Sequence, residues 1–211
     1  MRFIASKSFD IACNVKILLD AFLETYHLKS IHPQTVDRFL DSRGTYSVLW
    51  PNGHSLMATP HRKADWKDPG ATGMPEVNTA DSVYVNQNVS YNVYPNLVTP
   101  ISSTGIPFCL FWPKSAREMT VEVHWFAPDG AQDHELWPTR MNNFERILEE
   151  DTQFAPHIQE SVECGGFDGM YLSYQERRIY HWHEELDRRI GAEVPPDLRI
   201  PSLLGPYIET A

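Results

Sequence analysis

The sequence predicts an α+β fold in which long helices pack against one face of a curved antiparallel sheet. Three observations lead to this prediction: a helical apolar period near the amino terminus, a central region of β-branched and aromatic residues, and a return to helical period after residue 138. Neither an internal repeat nor a linker divides the 211 residues, so we expect one domain over 1–211.

The first predicted helix extends from Val15 to Leu28. Apolar residues recur along one face of this segment and charged residues lie between them, which is the pattern of an amphipathic helix. A second, short helix is predicted to begin at Pro33, because proline suits a first turn and the TVDRFLDS that soon follows keeps a helical period.

The region from Gly44 to Asp129 predicts about five to seven antiparallel strands. Segments such as SVYVNQNVSYNVY and MTVEVHWFA are rich in β-branched and aromatic residues, and Pro, Gly and Asn punctuate them. Within this region His61–Thr79 is polar and rich in Gly and Pro, which predicts a long loop or lid.

Helical period returns in two later segments, Pro138–Cys164 and Tyr174–Ile190. Pro156 lies inside the first of them and cannot donate a hydrogen bond to the carbonyl of Thr152. We therefore expect that helix to bend just past Asp151.

The composition argues against several classes of partner. The chain has 18 basic and 28 acidic residues, a net charge of −10 that repels phosphate backbones, so no nucleic-acid partner is expected. No run of 18 apolar residues and no signal peptide is visible, which predicts a protein without a membrane partner. Three widely spaced cysteines, Cys13, Cys109 and Cys164, predict reduced thiols in a cytoplasm.

The stretch ETYHLKSIH, from Glu24 to His32, contains the first candidate site residues. On a regular α-helix five residues rotate the side-chain direction by about 140°, so His27 and His32 converge only if the helix bulges or ends between them. Glu24 is three residues before His27, and its carboxylate can therefore orient that imidazole. The alternative is that Asp20, Glu24 and His27 form the solvated face of an amphipathic helix.

A third candidate residue lies in the segment ERILEEDTQFAPHIQESV. Asp151 falls on the apolar stripe of this helix, whereas Glu149 and Glu150 fall to its sides. The predicted stripe consists of Phe144, Ile147, Leu148, Phe154, Ala155, Ile158 and Val162. A carboxylate on a buried stripe needs a cation or strong hydrogen-bond donors, so Asp151 is either a metal ligand or a buried cap or ion-pair partner. Two imidazoles and one carboxylate are the ligand set of an open mononuclear iron site.

Four segments resemble, in order, parts of the α subunit of Rieske non-haem iron ring-hydroxylating oxygenases. NVKILLDAFLETYHLKSIHP resembles the metal-binding segment of that family: Asn-Trp-Lys, a short apolar stretch, an acid, any residue, Tyr-His, four residues and His-Pro. YNVYPNLVTP, EEDTQFAPHIQESV and LSYQERRIYHWHEELDRRIG resemble its aromatic-Pro-Asn-Leu strand, its Glu-Asp helix and its closing helix. The resemblance covers nearly the whole chain and corresponds to the catalytic domain.

The resemblance implies a mononuclear Fe(II) held by His27, His32 and Asp151. It makes Glu24 the acid that links this iron to the [2Fe-2S] Rieske cluster of a neighbouring subunit. It also implies a helix-grip fold, START-like or Bet v 1-like, and trimers with or without a small β subunit. The implied reaction reduces dioxygen and inserts one or both oxygen atoms into an organic, often aromatic, substrate.

Two features depart from the family pattern. Val15 replaces the usual tryptophan, and Ala21 stands where asparagine is common, which puts local packing and a hydrogen bond near the iron in question. We also expect no Rieske domain within the 211 residues. Three explanations compete: a fragment of a longer gene product, a partner chain that supplies the cluster and its electrons, or an iron-binding relic that cannot turn over alone.

The sequence therefore leaves three functional hypotheses. The first is the catalytic domain of an iron-dependent oxygenase, and the second is a START-like module that binds a hydrophobic ligand without catalysis. Only the oxygenase requires the two histidines and Asp151 to converge. The third is a zinc hydrolase, which needs a general base beside the metal-bound water, and Glu24 is the visible candidate.

Overall fold

The computed structural model describes residues 1–77, 79, 81–166 and 169–210. Seven strands within these residues form one antiparallel sheet. They are β1 (Arg2–Ile11), β2 (Tyr46–Leu49), β3 (Ser55–Pro60), β4 (Gln87–Val93), β5 (Leu97–Ile101), β6 (Ile106–Pro113) and β7 (Met119–Ala127). Their order across the sheet is β1-β7-β6-β5-β4-β3-β2, so strands adjacent in sequence are neighbours except where β1 pairs with β7.

Helices α1, α4 and α6 contribute buried side chains to the same core as the sheet, and the predicted α+β architecture is confirmed. Among the described helices none is long and apolar enough to cross a membrane. The described α-helices are α1 (Val15–Phe22), α2 (Leu28–Ile31), α3 (Val83–Asn86), α4 (Trp137–Thr152), α5 (Ala155–Glu163) and α6 (Arg177–Ile190), with short 3-10 turns between several of them.

Strand β7 shows how the sheet forms the core. Its alternate residues are buried, since side chains on a strand point to opposite faces with a period of two, whereas Glu122, His124 and Phe126 between them are partly exposed. On the helical side, Trp182 of α6 is buried and donates from Nε1 to the carbonyl of Pro95 at 2.8 Å. The buried apolar residues of β7 are Met119, Val121, Val123, Trp125 and Ala127, and Thr120 is buried as well.

The sequence analysis missed strand β1. RFIASKSFDI has few strong strand formers, and most of its side chains are exposed or partly exposed, so it lacks a clear alternating pattern. The strand forms because it pairs along β7, from Arg2 opposite Ala127 to Ile11 opposite Met119. The decisive contact is therefore about 120 residues away in sequence, which local pattern cannot reveal.

Two helix predictions near the amino terminus are wrong. Helix α1 ends at Phe22, not at Leu28, and no α-helix begins at Pro33 in the described chain. The segment after Pro33 forms 3-10 turns at Val36–Arg38 and Ser42–Gly44 instead. Pairing with the end of β3 overrides its helical period, because the Arg62 amide donates to the Phe39 carbonyl at 2.8 Å.

The predicted break near Pro156 is confirmed, since α4 ends at Thr152 and α5 begins at Ala155. However, the apolar stripe predicted to continue through this segment does not stay buried. Phe154, Ile158 and Val162 are 42%, 46% and 44% exposed. The break rotates α5, so that Ala155 and Gln159 face the protein in their place.

The predicted strand count and the predicted loop both agree with the structure. Six strands lie between Tyr46 and Ala127 in the described chain. The segment from His61 to Val77 consists of turns, bends and one 3-10 turn at Pro69–Ala71, and Asn78 in the predicted loop lies outside the described residues. All three cysteines are unpaired, with Cys13 and Cys109 buried and Cys164 exposed.

The contact between α1 and the sheet offers a test of this core. Phe111 is fully buried, and its ring meets that of Phe22 edge-on with centroids 5.0 Å apart. We expect Phe111→Ala to lower the free energy of unfolding by about 3–5 kcal/mol, because it removes buried area and leaves a cavity. Trp112→Ala is the control, since Trp112 is 46% exposed, and it should cost less than about 1 kcal/mol. Urea denaturation measures both, and equal losses would contradict this packing.

Candidate metal centre

The segment between α1 and α2 is anchored by buried side chains that alternate with candidate site residues. Leu23, Thr25 and Leu28 are buried, and the Thr25 hydroxyl hydrogen-bonds that of Thr45 at 3.1 Å. These anchors hold the chain against the core while Glu24 and His27 turn toward the candidate site. The interruption of the helix is therefore supported by packing on both sides of it.

Helix α2 explains the five-residue spacing of the two histidines. His27 is its N-cap and His32 its C-cap, so a single helical turn lies between them. The His32 backbone has φ −113° and ψ 37°, which departs from helical geometry and redirects its side chain. The two imidazole centroids are consequently 5.1 Å apart, with the rings at 71° to each other.

The last turn of α4 brings Asp151 to these imidazoles. Its Oδ1 lies 2.9 Å from Nε2 of His32 and 3.6 Å from Nε2 of His27. One ligand atom from each of the three residues lies within 4.8 Å of the others, which is close enough for a single metal ion. The structure thus brings together the three residues that the sequence predicted as ligands.

Each imidazole also contacts a glutamate through its other ring nitrogen. His27 Nδ1 hydrogen-bonds Oε1 of Glu24, and His32 Nδ1 hydrogen-bonds Oε2 of Glu150 at 2.7 Å. An Nδ1–H that donates to a carboxylate leaves Nε2 with its lone pair directed at the centre, the tautomer a metal ligand requires. Both histidines are therefore oriented in the same way.

The sequence analysis missed Glu150, which it placed beside the apolar stripe. The Glu150 carboxylate also accepts a hydrogen bond from the Thr35 hydroxyl at 2.5 Å. Its position next to Asp151 was the available signal, because one turn of helix can hold a ligand and the acid that orients a neighbouring ligand. The partner His32 is 118 residues away, which local spacing does not show.

The charges of the centre suit a divalent cation. Three carboxylates surround two imidazoles, and in the described chain none of the three has a lysine or arginine within 4.0 Å. Burial opposes the charged form of His32, but Asp151 and Glu150 outweigh burial and raise its pKa. Burial likewise opposes charge on Glu150, but Thr35 and His32 stabilise the carboxylate and lower its pKa. The raised pKa of His32 indicates that the carboxylates of the centre favour added positive charge, and the lowered pKa of Glu150 indicates that this carboxylate stays ionised.

The alternative that this helix face is solvated does not agree with the structure. The side chains of Asp20, Glu24 and His27 are only 14%, 10% and 20% exposed. Asp20 accepts a hydrogen bond from Nε2 of His183 at 2.9 Å, which joins α1 to α6. Burial raises the pKa of Asp20, and the hydrogen bond from His183 opposes that rise.

Arg178 of α6 supports the end of α1 from inside the core. It is fully buried and donates to Ser55 Oγ at 3.0 Å and to the carbonyls of Ser90 and Leu23 at 3.4 and 3.5 Å. Burial lowers its pKa to about 9. A cation at a helix C-terminus stabilises the exposed carbonyls, so Arg178 favours ending α1 at Phe22, with Leu23 as its C-cap.

A cavity of about 660 Å³ lies beside the centre, between the sheet and α4. Its wall includes Thr35, which hydrogen-bonds Glu150, and Ile147, which lies one helical turn before Asp151, whereas the three candidate ligands do not themselves border it. Another side is formed by residues from Trp66 to Gly73, which belong to the loop that the sequence predicted. This volume is in the range of small-molecule sites in proteins.

A comparison with protein-family models identifies the family of the chain. A family model for the ring hydroxylating alpha subunit, catalytic domain, matches residues 1–192. The chain belongs to this family. The match extends from β1 through α6 and includes every residue of the candidate centre. No curated protein matches the chain in sequence.

Solved structures of Rieske oxygenases share the fold of this ring-hydroxylating domain. The quaternary ammonium Rieske monooxygenase described for carnitine oxidation by gut microbiota superposes with a TM-score of 0.67 at 14% identity, over 89% of this chain and 50% of its own. Naphthalene 1,2-dioxygenase from Rhodococcus sp. gives 0.63 at 15% identity, over 92% and 57%. Dicamba monooxygenase gives 0.59 at 14% identity, over 90% and 61%. The chain thus spans about half the length of the monooxygenase chain.

The contact between Glu150 and His32 yields a prediction. We expect Glu150→Ala to weaken Fe(II) binding about 10- to 100-fold, because losing the acid that orients a ligand imidazole typically has this effect. Glu149→Ala is the matched control, since Glu149 is the exposed neighbour on the same helix and its side chain does not face the centre. Anaerobic titration with a competing chelator measures both affinities. Equal affinities in the two variants would show that Glu150 does not position His32.

Proposed function

We propose that this ring-hydroxylating domain holds one Fe(II) ion on His27, His32 and Asp151 and hydroxylates an organic substrate with dioxygen. The observation that carries the proposal is the convergence of the three ligand atoms within 4.8 Å. The family membership supports an oxidoreductase, and the adjacent cavity supplies space for a substrate. An aromatic substrate is the proposed class.

The chemistry of the proposed site divides between the metal and the protein. Bound Fe(II) would supply open coordination positions for dioxygen, and the electrons for its reduction would come from the external donor described below. His27 and His32 bind through Nε2, while Glu24 and Glu150 keep the imidazoles in that tautomer. Asp151 contributes the negative charge that offsets the cation, and Thr35 holds Glu150 in place.

Glu24 is the proposed route by which electrons reach the centre. Its carboxylate accepts a hydrogen bond from His27 Nδ1 and from the backbone amides of Tyr26 and His27, so it is fixed beside a ligand imidazole. Tyr26, two residues after Glu24, is 51% exposed, so the relay lies near the surface. A donor docked there would be separated from the metal by one carboxylate and one imidazole.

The proposed electron donor is a [2Fe-2S] Rieske cluster outside the 211 residues. It is carried by another segment of a longer chain or by a partner, and a ferredoxin or reductase supplies it in turn. We further propose a homotrimer in the cytoplasm, in which Glu24 of one subunit faces the cluster of its neighbour. Without such a donor the domain is expected to be incomplete as a multiple-turnover enzyme.

The two alternatives fit the described residues less well. A ligand-binding module has no need for two imidazoles and a carboxylate oriented on one point. A zinc hydrolase needs a general base beside the metal-bound water, but the Glu24 carboxylate is engaged with the far side of the His27 ring and with backbone amides.

Metal content tests the proposed function. We expect protein purified anaerobically and reconstituted with ferrous iron to bind about one iron per chain, and Asp151→Ala to lose it, because only two of the three proposed ligands remain in the variant. Glu149→Ala is again the control and should retain iron. Iron analysis of the desalted proteins is the measurement. Absence of iron in the wild-type chain, or equal iron in Asp151→Ala, would rule out the proposed centre.

A further inference from the structure

The cavity beside the centre is positively charged, although the chain as a whole has a net charge of −10. Four basic and two acidic side chains line it, and burial lowers the pKa of His61 in its wall, which keeps that imidazole neutral near pH 7. An excess of cations in a cavity of an acidic protein attracts anionic ligands. The charged lining residues are Arg38, Lys67, Arg140, Arg146, Asp68 and Glu76.

Arg140 is the most deeply placed of these cations. Its side chain is 14% exposed, whereas Arg38, Lys67 and Arg146 are exposed residues. Its guanidinium donates to the Thr104 hydroxyl at 2.7 Å and the Ser102 hydroxyl at 3.5 Å, and it lies 3.6 Å from the Met74 sulfur. The direct partners of this buried cation are therefore neutral.

The nearest carboxylate does not fully compensate Arg140. Asp68 Oδ2 lies 3.8 Å away, beyond hydrogen-bond distance, and the Asp68 side chain is 44% exposed. Its Oδ1 accepts a hydrogen bond from the Gly70 amide at 2.8 Å, so Asp68 primarily caps its own turn. A guanidinium has five donors in a planar arrangement that matches a carboxylate, and burial makes an uncompensated charge costly.

One face of α4 connects Arg140 to the candidate metal centre. Arg140, Phe144, Ile147 and Asp151 follow the spacing of i, i+4, i+7 and i+11 and therefore share that face. Eleven residues of helix rise about 16 Å, so the cation and the centre lie at opposite ends of an apolar stretch. A second apolar wall comes from Phe39 and Trp66, whose rings stack at 4.3 Å.

We propose that the cavity binds an organic carboxylate, with its carboxylate group on Arg140 and Thr104 and its apolar body along Phe144 and Ile147 toward the metal centre. The inference rests on the proposed function for the identity of the reacting end, and it names the substrate class. Arg140 is a binding residue in this proposal. The carbon that is oxidised lies at the end of the molecule remote from the carboxylate.

A charge series on the unmodified protein tests the carboxylate preference. The probes are 4-phenylbutyrate, 4-phenylbutyramide and 4-phenylbutylamine, which share an apolar body and differ in the charge of the terminal group. We expect 4-phenylbutyrate to bind the iron-loaded protein about 10- to 100-fold more tightly than the amide, because a charge-assisted hydrogen bond is lost with the amide, and the amine to bind most weakly. Isothermal titration calorimetry measures all three, and equal or reversed affinities would overturn the proposal.

A variant series assigns the preference to Arg140. Arg140→Gln should remove the advantage of 4-phenylbutyrate over the amide, and Arg140→Lys should keep part of it. Arg43→Gln, the control, should change neither affinity, because Arg43 is 82% exposed and pairs with Asp41 away from the cavity. If Arg140 only supported the loop, Arg140→Gln would weaken all three probes alike, which contradicts the proposal. If Arg140→Gln does not fold, the affinities of Arg140→Lys and the charge series on the unmodified protein test whether Arg140 binds the carboxylate group.

Repeating the titration with Asp151→Ala separates this inference from the proposed function. An Arg140-dependent preference for 4-phenylbutyrate in that variant would support the carboxylate site whether or not the variant binds iron. Iron binding by the wild-type chain without any preference among the probes would leave the oxygenase proposal standing and exclude the carboxylate site.

Discussion

The hydrogen bonds that the Glu150 carboxylate accepts from His32 and Thr35 are the contacts on which the candidate centre depends. They join the last turn of α4 to a segment 115 to 118 residues earlier in the chain. The same turn carries Asp151. The packing of this turn against the earlier segment therefore orients the His32 imidazole and also places the Asp151 carboxylate beside it. Loss of these bonds would leave buried carboxylates and imidazoles without partners, which is costly at low solvent exposure.

The rest of the fold keeps these two segments in place. Helix α4 is tied to the sheet by the ion pair between Lys7 and Glu145 and by the edge-on contact of Phe144 with Trp125. Buried Arg178 meets the carbonyl end of α1, directly before Glu24. The helix breaks are therefore part of the site. They interrupt the helical geometry where the candidate ligands turn toward the centre, while contacts with the sheet hold the flanking residues in place.

Helix α4 also connects the candidate metal centre, at Asp151, with the proposed carboxylate-binding position, at Arg140. Its inward face carries a carboxylate at one end, a cation at the other and apolar side chains between them, over about 16 Å of helix. Such a face separates the reacting position from the binding position. Selectivity can then arise from an interaction far from the bond that changes, where binding energy orients the substrate.

The sequence by itself determined the α+β class, the strand-rich middle, the break near Pro156 and three candidate ligands, because apolar period, β-branched composition and proline chemistry act over short distances. Strand β1 and the role of Glu150 were decided by tertiary structure, since each depends on a partner more than 100 residues away. The end of α1 at Phe22 and the rotation of α5 were likewise decided by packing, which overrides a weak helical preference. The positive cavity also belongs to the tertiary structure, because its cations come from separate parts of an acidic chain and meet only when α4, the loop and the sheet assemble.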